Sequence, residues 1–241
     1  METAEHHAIL GIIENRLVVS CQSYPGEPLR DARTMMLFAK AAVQGGASAI
    51  RAQGLEDIDL IHRNVPAPQI GLVKIAGDDV FITPTLEHAL AVARAGAEIV
   101  AIDGTRRVRP DRLTLQQTIA AIHEQAGALV MADCGSLDDG LAASDAGADI
   151  VGTTLAGYTG DRHKTDGPDL ELVRQLAGAL SIPVLAEGRI RTPQQAAAAL
   201  EAGAYSVVVG TAITHPTSIT SWYVDALAAA VKPTASGQLL G

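Results

Sequence analysis

Two ionisable side chains close apolar runs where simple packing would call for neutral residues. Lys74 ends "IGLVK" (70–74), and Glu187 follows the apolar residues of "SIPVLAEGRI" (181–190), with Gly188 and the cationic Arg189 directly after it. Both types can exchange a proton: lysine as a neutral base when burial or a nearby cation lowers its pKa, glutamate as an acid when an apolar surround raises it. Set on opposite sides of one carbon, such a pair has the geometry for inverting a stereocentre. The plain alternative is a Lys74–Glu187 ion pair. Other polar residues stand at the ends of apolar runs: Gln22, Arg51, Asp103, Asp133 and the segment from Thr153 to Tyr158. Gly188 with Arg189, and Gly210 with Thr211, form two short glycine turns, whose backbone N–H groups can approach a phosphate closely.

The elements that must hold these residues are legible as a repeat. "VQGGASAIRA" (43–52), "ARAGAEIVAI" (93–102), "SDAGADIVGT" (144–153) and "LEAGAYSVVV" (200–209) each read as a helix end, a glycine, an alanine and then a strand. Gly46, Gly96, Gly147 and Gly203 suit a left-handed helix stop, where the missing Cβ removes the steric penalty. They are spaced by 50, 51 and 56 residues, about two βα units. A second strand series fits between them: "LVVSCQ" (17–22), "IGLVK" (70–74), "ALVMADC" (128–134) and "IPVLAEG" (182–188). Near-continuous apolar strands alternate with helical windows of three-four spacing, and Thr85, Asp169 and Thr192 mark helix starts.

This predicts an α/β fold, a (β/α)₈ TIM barrel, as a single domain over 1–241. An extra N-terminal helix at about 6–16 caps the floor, the barrel runs from about 17 to 232, and 233–241 is a loose tail. An open doubly wound sheet is the structural runner-up. In such barrels the site lies at the carboxyl ends of the strands, with phosphate commonly held after strands 7 and 8. Strands 3 and 7 lie four apart in a ring of eight, so Lys74 and Glu187 face each other across the mouth.

Composition narrows the partners. The 241 residues are 48% hydrophobic and carry a net charge of -9, which opposes nucleic acid and anionic membrane surfaces but not a small anion held by local donors. No apolar run approaches the roughly 18 residues of a membrane span, and with two cysteines, Cys21 and Cys134, the expectation is a reduced, cytoplasmic protein. Asp103, Asp133 and Glu187 have the chemistry for a hard cation, but no histidine joins them at a strand end, so no metal is expected. His6, His7, His62, His88, His123 and His163 have no ligand-like spacing. Arg106, Arg107, Arg109 and Arg112 form a basic run after strand 4 that reads as a solvated face more than a site, with one of them able to reach the mouth.

With the strand ends in view, "SCQS", "IRAQG", "IGLVK" with "ITPT", "VAIDGT", "MADCG", "DIVGTTLAGYT", "PVLAEGRI" and "GTAIT" resemble, in order and spacing, the N-acylglucosamine-6-phosphate (N-acetylmannosamine-6-phosphate) 2-epimerases, from about residue 10 to 230. The resemblance implies conversion of N-acetylmannosamine 6-phosphate to N-acetylglucosamine 6-phosphate in amino-sugar and sialic acid catabolism, without an organic cofactor, by a homodimer. It makes Lys74 the catalytic lysine and Glu187 its acidic counterpart. Gln22, Arg51 and Asp133 then position the sugar, and Gly188, Arg189, Gly210 and Thr211 hold the phosphate. The stretch "AITHP" departs from the pattern, with His215 where many relatives have arginine.

Epimerisation at C2 removes a proton beside the C1 carbonyl of the opened sugar and returns one to the other face. The opposed strands motivate a two-base route, and a single lysine that removes and returns the proton is the rival. Outside that chemistry stand three alternatives: a cysteine pair, since Cys21 and Cys134 also end opposite strands; a Schiff-base aldolase using Lys74; and a non-catalytic phosphosugar-binding barrel.

Overall fold

The computed structural model describes residues 2–77 and 79–231, so the tail expected at 233–241 lies outside the described residues. The elements follow in the order α1 (Glu2–Ile13), β1 (Leu17–Cys21), α2 (Ala32–Gln44), β2 (Ala49–Gln53), α3 (Leu55–Asn64), β3 (Gln69–Leu72), α4 (Leu86–Arg94), β4 (Ile99–Asp103) and α5 (Leu115–Ala126). They continue with β5 (Leu129–Asp133), α6 (Leu137–Asp145), β6 (Ile150–Gly152), α7 (Leu170–Ala179), β7 (Val184–Glu187), α8 (Pro193–Glu201), β8 (Ser206–Val209), α9 (Thr211–Thr214) and α10 (Pro216–Ala230). All neighbouring strands pair in parallel, and β8 pairs with β1, which closes the barrel in sequence order β1 to β8.

The side-chain period of two along each strand sorts the core into layers. Val18, Ala49, Ile70, Ile99, Leu129, Ile150 and Leu185 pack together inside the barrel, where α1 adds Ile9 and Ile13 from below. The intervening residues, among them Val19, Ile50, Val100, Val130 and Val151, face outward and meet the helices. Thus α1 plugs the floor. It stops at Ile13, earlier than its sequence bounds, and Asn15 just beyond takes a left-handed φ of 55° and donates its N–H to Tyr205 O at 2.7 Å.

The four-fold repeat resolves into one helix stop. Gly46, Gly96, Gly147 and Gly203 have φ between 97° and 108°. Each donates its N–H to the carbonyl three residues back, as Gly46 does to Val43 at 3.0 Å and Gly203 to Leu200 at 2.9 Å. The alanine that follows reaches back five residues, Ala47 to Ala42, Ala148 to Ala143 and Ala204 to Ala199. This closing pair of bonds satisfies the last helical carbonyls and turns the chain into the next strand. At the other ends, the side chains of Thr85, Asp169 and Thr192 each accept an N–H of the first helical turn, the expected capping geometry.

Strands β1 and β3 end sooner than their sequence runs. Gln22 lies one residue past β1, and Lys74 lies two past β3, in a hairpin-like loop where it bridges Ile82 antiparallel. Strands diverge at the mouth of a tilted barrel, so the ladder ends while the chain stays extended. Among the described residues no helix is long and apolar enough to cross a membrane.

The glycine stops generate a paired stability test. Gly203 has φ 101°, and a Cβ there would lie 2.9 Å from Ala177 Cβ, whereas Gly178 in α7 has open space and an ordinary helical backbone. Gly203→Ala is expected to lower stability by about 1–2 kcal/mol, and Gly178→Ala to raise it by about 0.5–1 kcal/mol. Thermal unfolding followed by circular dichroism should show midpoint shifts of opposite sign, at about 2–4 °C per kcal/mol.

Candidate active site

The same parity that builds the core aims the ionisable residues. Arg51, Asp103, Asp133 and Glu187 each stand two positions beyond an inward-facing apolar residue, namely Ala49, Ala101, Met131 and Leu185. They therefore point along the barrel axis at the carboxyl ends of β2, β4, β5 and β7. Above them opens a cavity of about 720 Å³ whose wall includes Gln22, Arg51, Lys74, Thr154, Glu187 and Thr211.

Arg51 is the centre of this arrangement. With 1% exposure, it sends one guanidinium nitrogen to Asp133 Oδ2 at 2.5 Å and the other to Asp133 Oδ1 at 3.0 Å and Glu187 Oε2 at 2.7 Å. Thr154 donates its hydroxyl to Asp133 and lies 3.3 Å from Glu187 Oε2, completing the cluster. Burial would weaken Arg51's hold on its proton, but Asp133 and then Glu187 outweigh it and hold the pKa above the ordinary arginine value. Asp133 is fully buried beneath Arg51 and is not among the residues that line the cavity. The resemblance implies that it positions the sugar; its carboxylate oxygens bond Arg51 and Thr154, so any influence on a ligand passes through those two residues.

Lys74 occupies the opposite wall. Its ammonium donates to Gln22 Oε1 at 2.8 Å, Gln22 in turn donates to Ser20 Oγ at 2.8 Å, and the ring of Tyr24 lies 5.8 Å away. Among the described residues no carboxylate lies within ion-pair distance of it, so the Lys74–Glu187 ion pair is not formed. Burial first, and Arg51 second, lower its pKa, with Glu187 and Asp133 opposing. Glu187 moves the other way: burial raises its pKa, Arg51 opposes, and Asp133 adds to the rise. If Asp133 and Glu187 are both ionised, they and Arg51 together carry one negative charge. One further proton, held on Lys74 or on Glu187, neutralises the group.

The two cysteines face away. Both are buried and pack with the outward-facing residues in the layer between barrel and helices. Burial, with a contribution from Asp57, pushes the Cys21 thiol up to about 12, and burial also raises Cys134 well above its ordinary value. Neither is a nucleophile or base for this cavity. Period two alone carried that signal, because Cys134 follows the inward Asp133 directly.

The two glycine turns meet at the cavity edge. Gly188 has φ 112°, and Arg189 follows in the left-handed region at 57°. A Cβ on Gly210 would lie 3.1 Å from Ser20 Cβ, so glycine there keeps the turn against β1. Thr211 opens the four-residue α9 on the cavity wall. The Arg189 side chain, expected to hold phosphate, turns to its neighbouring loop: Nε donates to Gly167 O at 3.0 Å, and the two terminal nitrogens donate to Ala156 O at 2.8 Å and Thr165 Oγ1 at 3.0 Å. His215 caps α10 by accepting the Ser218 N–H at Nδ1, and its ring meets Tyr24 edge-on at 5.2 Å.

The basic run after β4 is not a uniformly solvated face. Arg107 pairs with Asp103 at 2.7 Å, and the buried Arg109 donates to the carbonyls of Asp103 and Thr83. Among the described residues no group of three or more histidine, cysteine or carboxylate side chains could hold a metal ion. Tyr24, Arg191 and Trp222 also line the cavity and were not singled out from the sequence, since each lies in a loop or helix outside the strand-end pattern.

Residues 35–229 match the family model described as "Putative N-acetylmannosamine-6-phosphate epimerase". Among curated proteins, a relative from Cutibacterium acnes named for the 2-epimerase is 55% identical over 91% of this chain and 96% of its own length. Another from Caldanaerobacter subterraneus is 48% identical over 90% of this chain and 92% of its own. Of solved structures, the N-acetylmannosamine-6-phosphate 2-epimerase from Clostridium perfringens superposes with a TM-score of 0.88 at 42% identity, covering 92% of this chain and 97% of that one. A thiamine phosphate pyrophosphorylase from Pyrococcus furiosus, at 21% identity and a TM-score of 0.58, shares the fold.

The charge arrangement predicts opposite stability effects across the mouth. Arg51→Met strands Asp133 and Glu187 and is expected to cost about 3–5 kcal/mol. Lys74→Met removes a desolvated ammonium without a charged partner and should leave stability unchanged or raised. Urea unfolding of both variants beside the parent checks the contrast.

Proposed function

The chain belongs to the N-acetylmannosamine-6-phosphate epimerase family, and on that premise we propose that its cavity interconverts N-acetylmannosamine 6-phosphate and N-acetylglucosamine 6-phosphate. The observation that carries the assignment of the base is Lys74: a desolvated amine in the cavity wall, held by Gln22, with no carboxylate partner and a lowered pKa. In the ring-opened substrate the C2 hydrogen lies next to the C1 aldehyde. Neutral Lys74 takes that proton, the C–H electron pair becomes the C1–C2 double bond, and O1 carries the negative charge. The field of Arg51 stabilises this enolate, and protonation at the other face of C2 gives the epimer. Every proton and electron pair is accounted for by side chains and substrate, so the reaction as drawn needs no organic cofactor.

Two placements bear on how the proton returns. Glu187 lies on the wall opposite Lys74, and its raised pKa suits an acid that protonates the second face. Its carboxylate is nevertheless paired with Arg51 at 2.7 Å and lies 3.3 Å from the Thr154 hydroxyl, contacts that favour the ionised form. We therefore favour Lys74 as the group that both removes and returns the C2 proton, with the opened sugar turning between the two steps so that its other face meets the lysine. Glu187 is then suited to the other transfer the reaction requires, between O1 and O5 as the sugar ring opens. Gln22 orients Lys74, and the turns at Gly188 and Gly210–Thr211 accept the phosphate through backbone N–H groups.

We also propose a homodimer. No residue of α10 is buried, and Tyr223, Val224 and Leu227 are 71%, 58% and 69% exposed on it. A second copy covering this helix would remove that apolar surface from water. Size-exclusion chromatography with light scattering should give twice the chain mass for the parent protein and one chain mass for Leu227→Glu; a monomeric parent would sink the proposal.

Proton NMR of N-acetylmannosamine 6-phosphate in deuterated solvent tests the chemistry. The parent enzyme should form the epimer, and Lys74→Ala should lose about 10³-fold in rate. Glu187→Gln separates the routes. With Lys74 as the only C2 base, epimerisation and C2 exchange slow together. With two bases, epimerisation stops while one epimer still exchanges its C2 hydrogen.

A further inference from the structure

Five cationic side chains line the cavity, and the structure divides them by what their N–H groups already hold. Arg51 is committed to Asp133 and Glu187, and Lys74 to Gln22. Arg189 donates from all three guanidinium nitrogens into the β6–α7 loop, to Ala156, Thr165 and Gly167, with its plane 5.5 Å from the Tyr158 ring. Lys164, at the far side of that same loop, sits 4.7 Å over Tyr158. Arg191 differs. Its guanidinium lies 5.2 Å over the Trp222 ring of α10, and among the described residues it meets no carboxylate or carbonyl.

An aromatic face fixes a guanidinium while leaving its edge N–H groups unused, and that edge is the part that matches a phosphate. Arg191 also stands three residues after Gly188, on the β7–α8 loop, and its Trp222 support comes from the helix that follows Gly210 and Thr211. It therefore stands between the two turns proposed to receive the phosphate. Arg189, two residues earlier, has the opposite character. Its backbone is left-handed, its donors are taken, and the loop it grips contributes Thr154, Leu155 and Tyr158 to the cavity wall.

We infer that Arg191, stacked on Trp222, is the cation that receives the substrate's phosphate, while Arg189 is a positioning residue that latches the β6–α7 loop over the site. The inference rests on the reading that the substrate carries a phosphate at this mouth. It moves to Arg191 the cationic share of the phosphate site that the resemblance gave to Arg189, beside Gly188, Gly210 and Thr211.

The test is a double comparison on the full-length protein, with inorganic phosphate as the probe. Calorimetric titration of phosphate should weaken about tenfold or more in Arg191→Met, with partial recovery in Arg191→Lys and no change in Arg189→Met. Limited trypsin digestion should show the reverse: fragments cut after Arg162 or Lys164 accelerate in Arg189→Met and not in Arg191→Met. In turnover, Arg191→Met should raise KM with kcat retained, while Arg189→Met should lower kcat. Equal phosphate affinity in Arg191→Met and the parent would overturn the inference. So would a parent that binds no phosphate, or an Arg189→Met that loses phosphate while its loop stays protected. A parent that binds phosphate yet never epimerises the sugar would sink the epimerase reading and leave this inference to be judged on affinity and cleavage.

Discussion

A guanidinium with 1% exposure, held between two carboxylates inside a barrel, constrains everything around it. Taking such ions out of water costs several kcal/mol each, and only close pairing offsets that cost. Arg51 on β2 must therefore meet Asp133 on β5 and Glu187 on β7, which ties three strands together across the interior. Gly152 on β6 makes the room: a Cβ there would lie 2.3 Å from Met131 Cε and 3.2 Å from both Asp133 Oδ1 and Thr154 Oγ1. The charge of the cluster then reaches the chemistry. Two carboxylates against one guanidinium leave a place for one more proton, and Lys74 and Glu187 are the groups able to hold it.

Much of this was legible because it rests on local rules. The glycine–alanine repeat records a helix stop whose hydrogen bonds depend on adjacent residues, and it located the strands that follow. Alternation in the strands also fixed which ionisable groups share the interior, although Cys21 and Cys134 show that the parity must be applied residue by residue. What was not legible depends on groups distant in sequence. The sequence marks Asp133 as polar at a strand end, but its burial follows from Arg51, 82 residues away, lying above it. The direction of Arg189 follows from which carbonyls the β6–α7 loop presents, and Arg109 is buried because Thr83 and Asp103 offer it carbonyls. An arginine's role is set by its acceptors, and those lie in loops that periodicity does not describe.

Helix α10 joins the site to the outside of the molecule. Its first turn is capped by His215, whose ring abuts Tyr24, and Tyr24 in turn lies under Lys74. Ser218 and Trp222 face the cavity, while Tyr223, Val224 and Leu227 face solvent. The helix has little of its own to hold it, since no residue along it is buried. Covering its apolar side with a second copy would therefore do more than remove surface from water: it would fix the helix that supports one wall of the cavity.

The net charge of -9 and the proposed anionic substrate are compatible once distances are considered. Charges spread over the surface act on a ligand at the mouth through solvent, and at physiological ionic strength their influence decays over about 8 Å. The groups that the ligand meets lie closer. Lys164, Arg189 and Arg191 line the cavity together with Asp166, while Glu187, deeper in the wall, is paired with Arg51 at 2.7 Å, and Asp133 lies beneath it. A dianion approaching this face meets three cations against Asp166, with Glu187 below already paired to Arg51. The ordering also suits the reaction, because phosphate held at the rim keeps its charge away from Lys74, where a second anion would raise the pKa that burial and Arg51 lower. A lysine base is thus served best by a phosphate grip set apart from it, and the proposed site has that arrangement, with phosphate at the loops after β7 and β8 and Lys74 beyond β3.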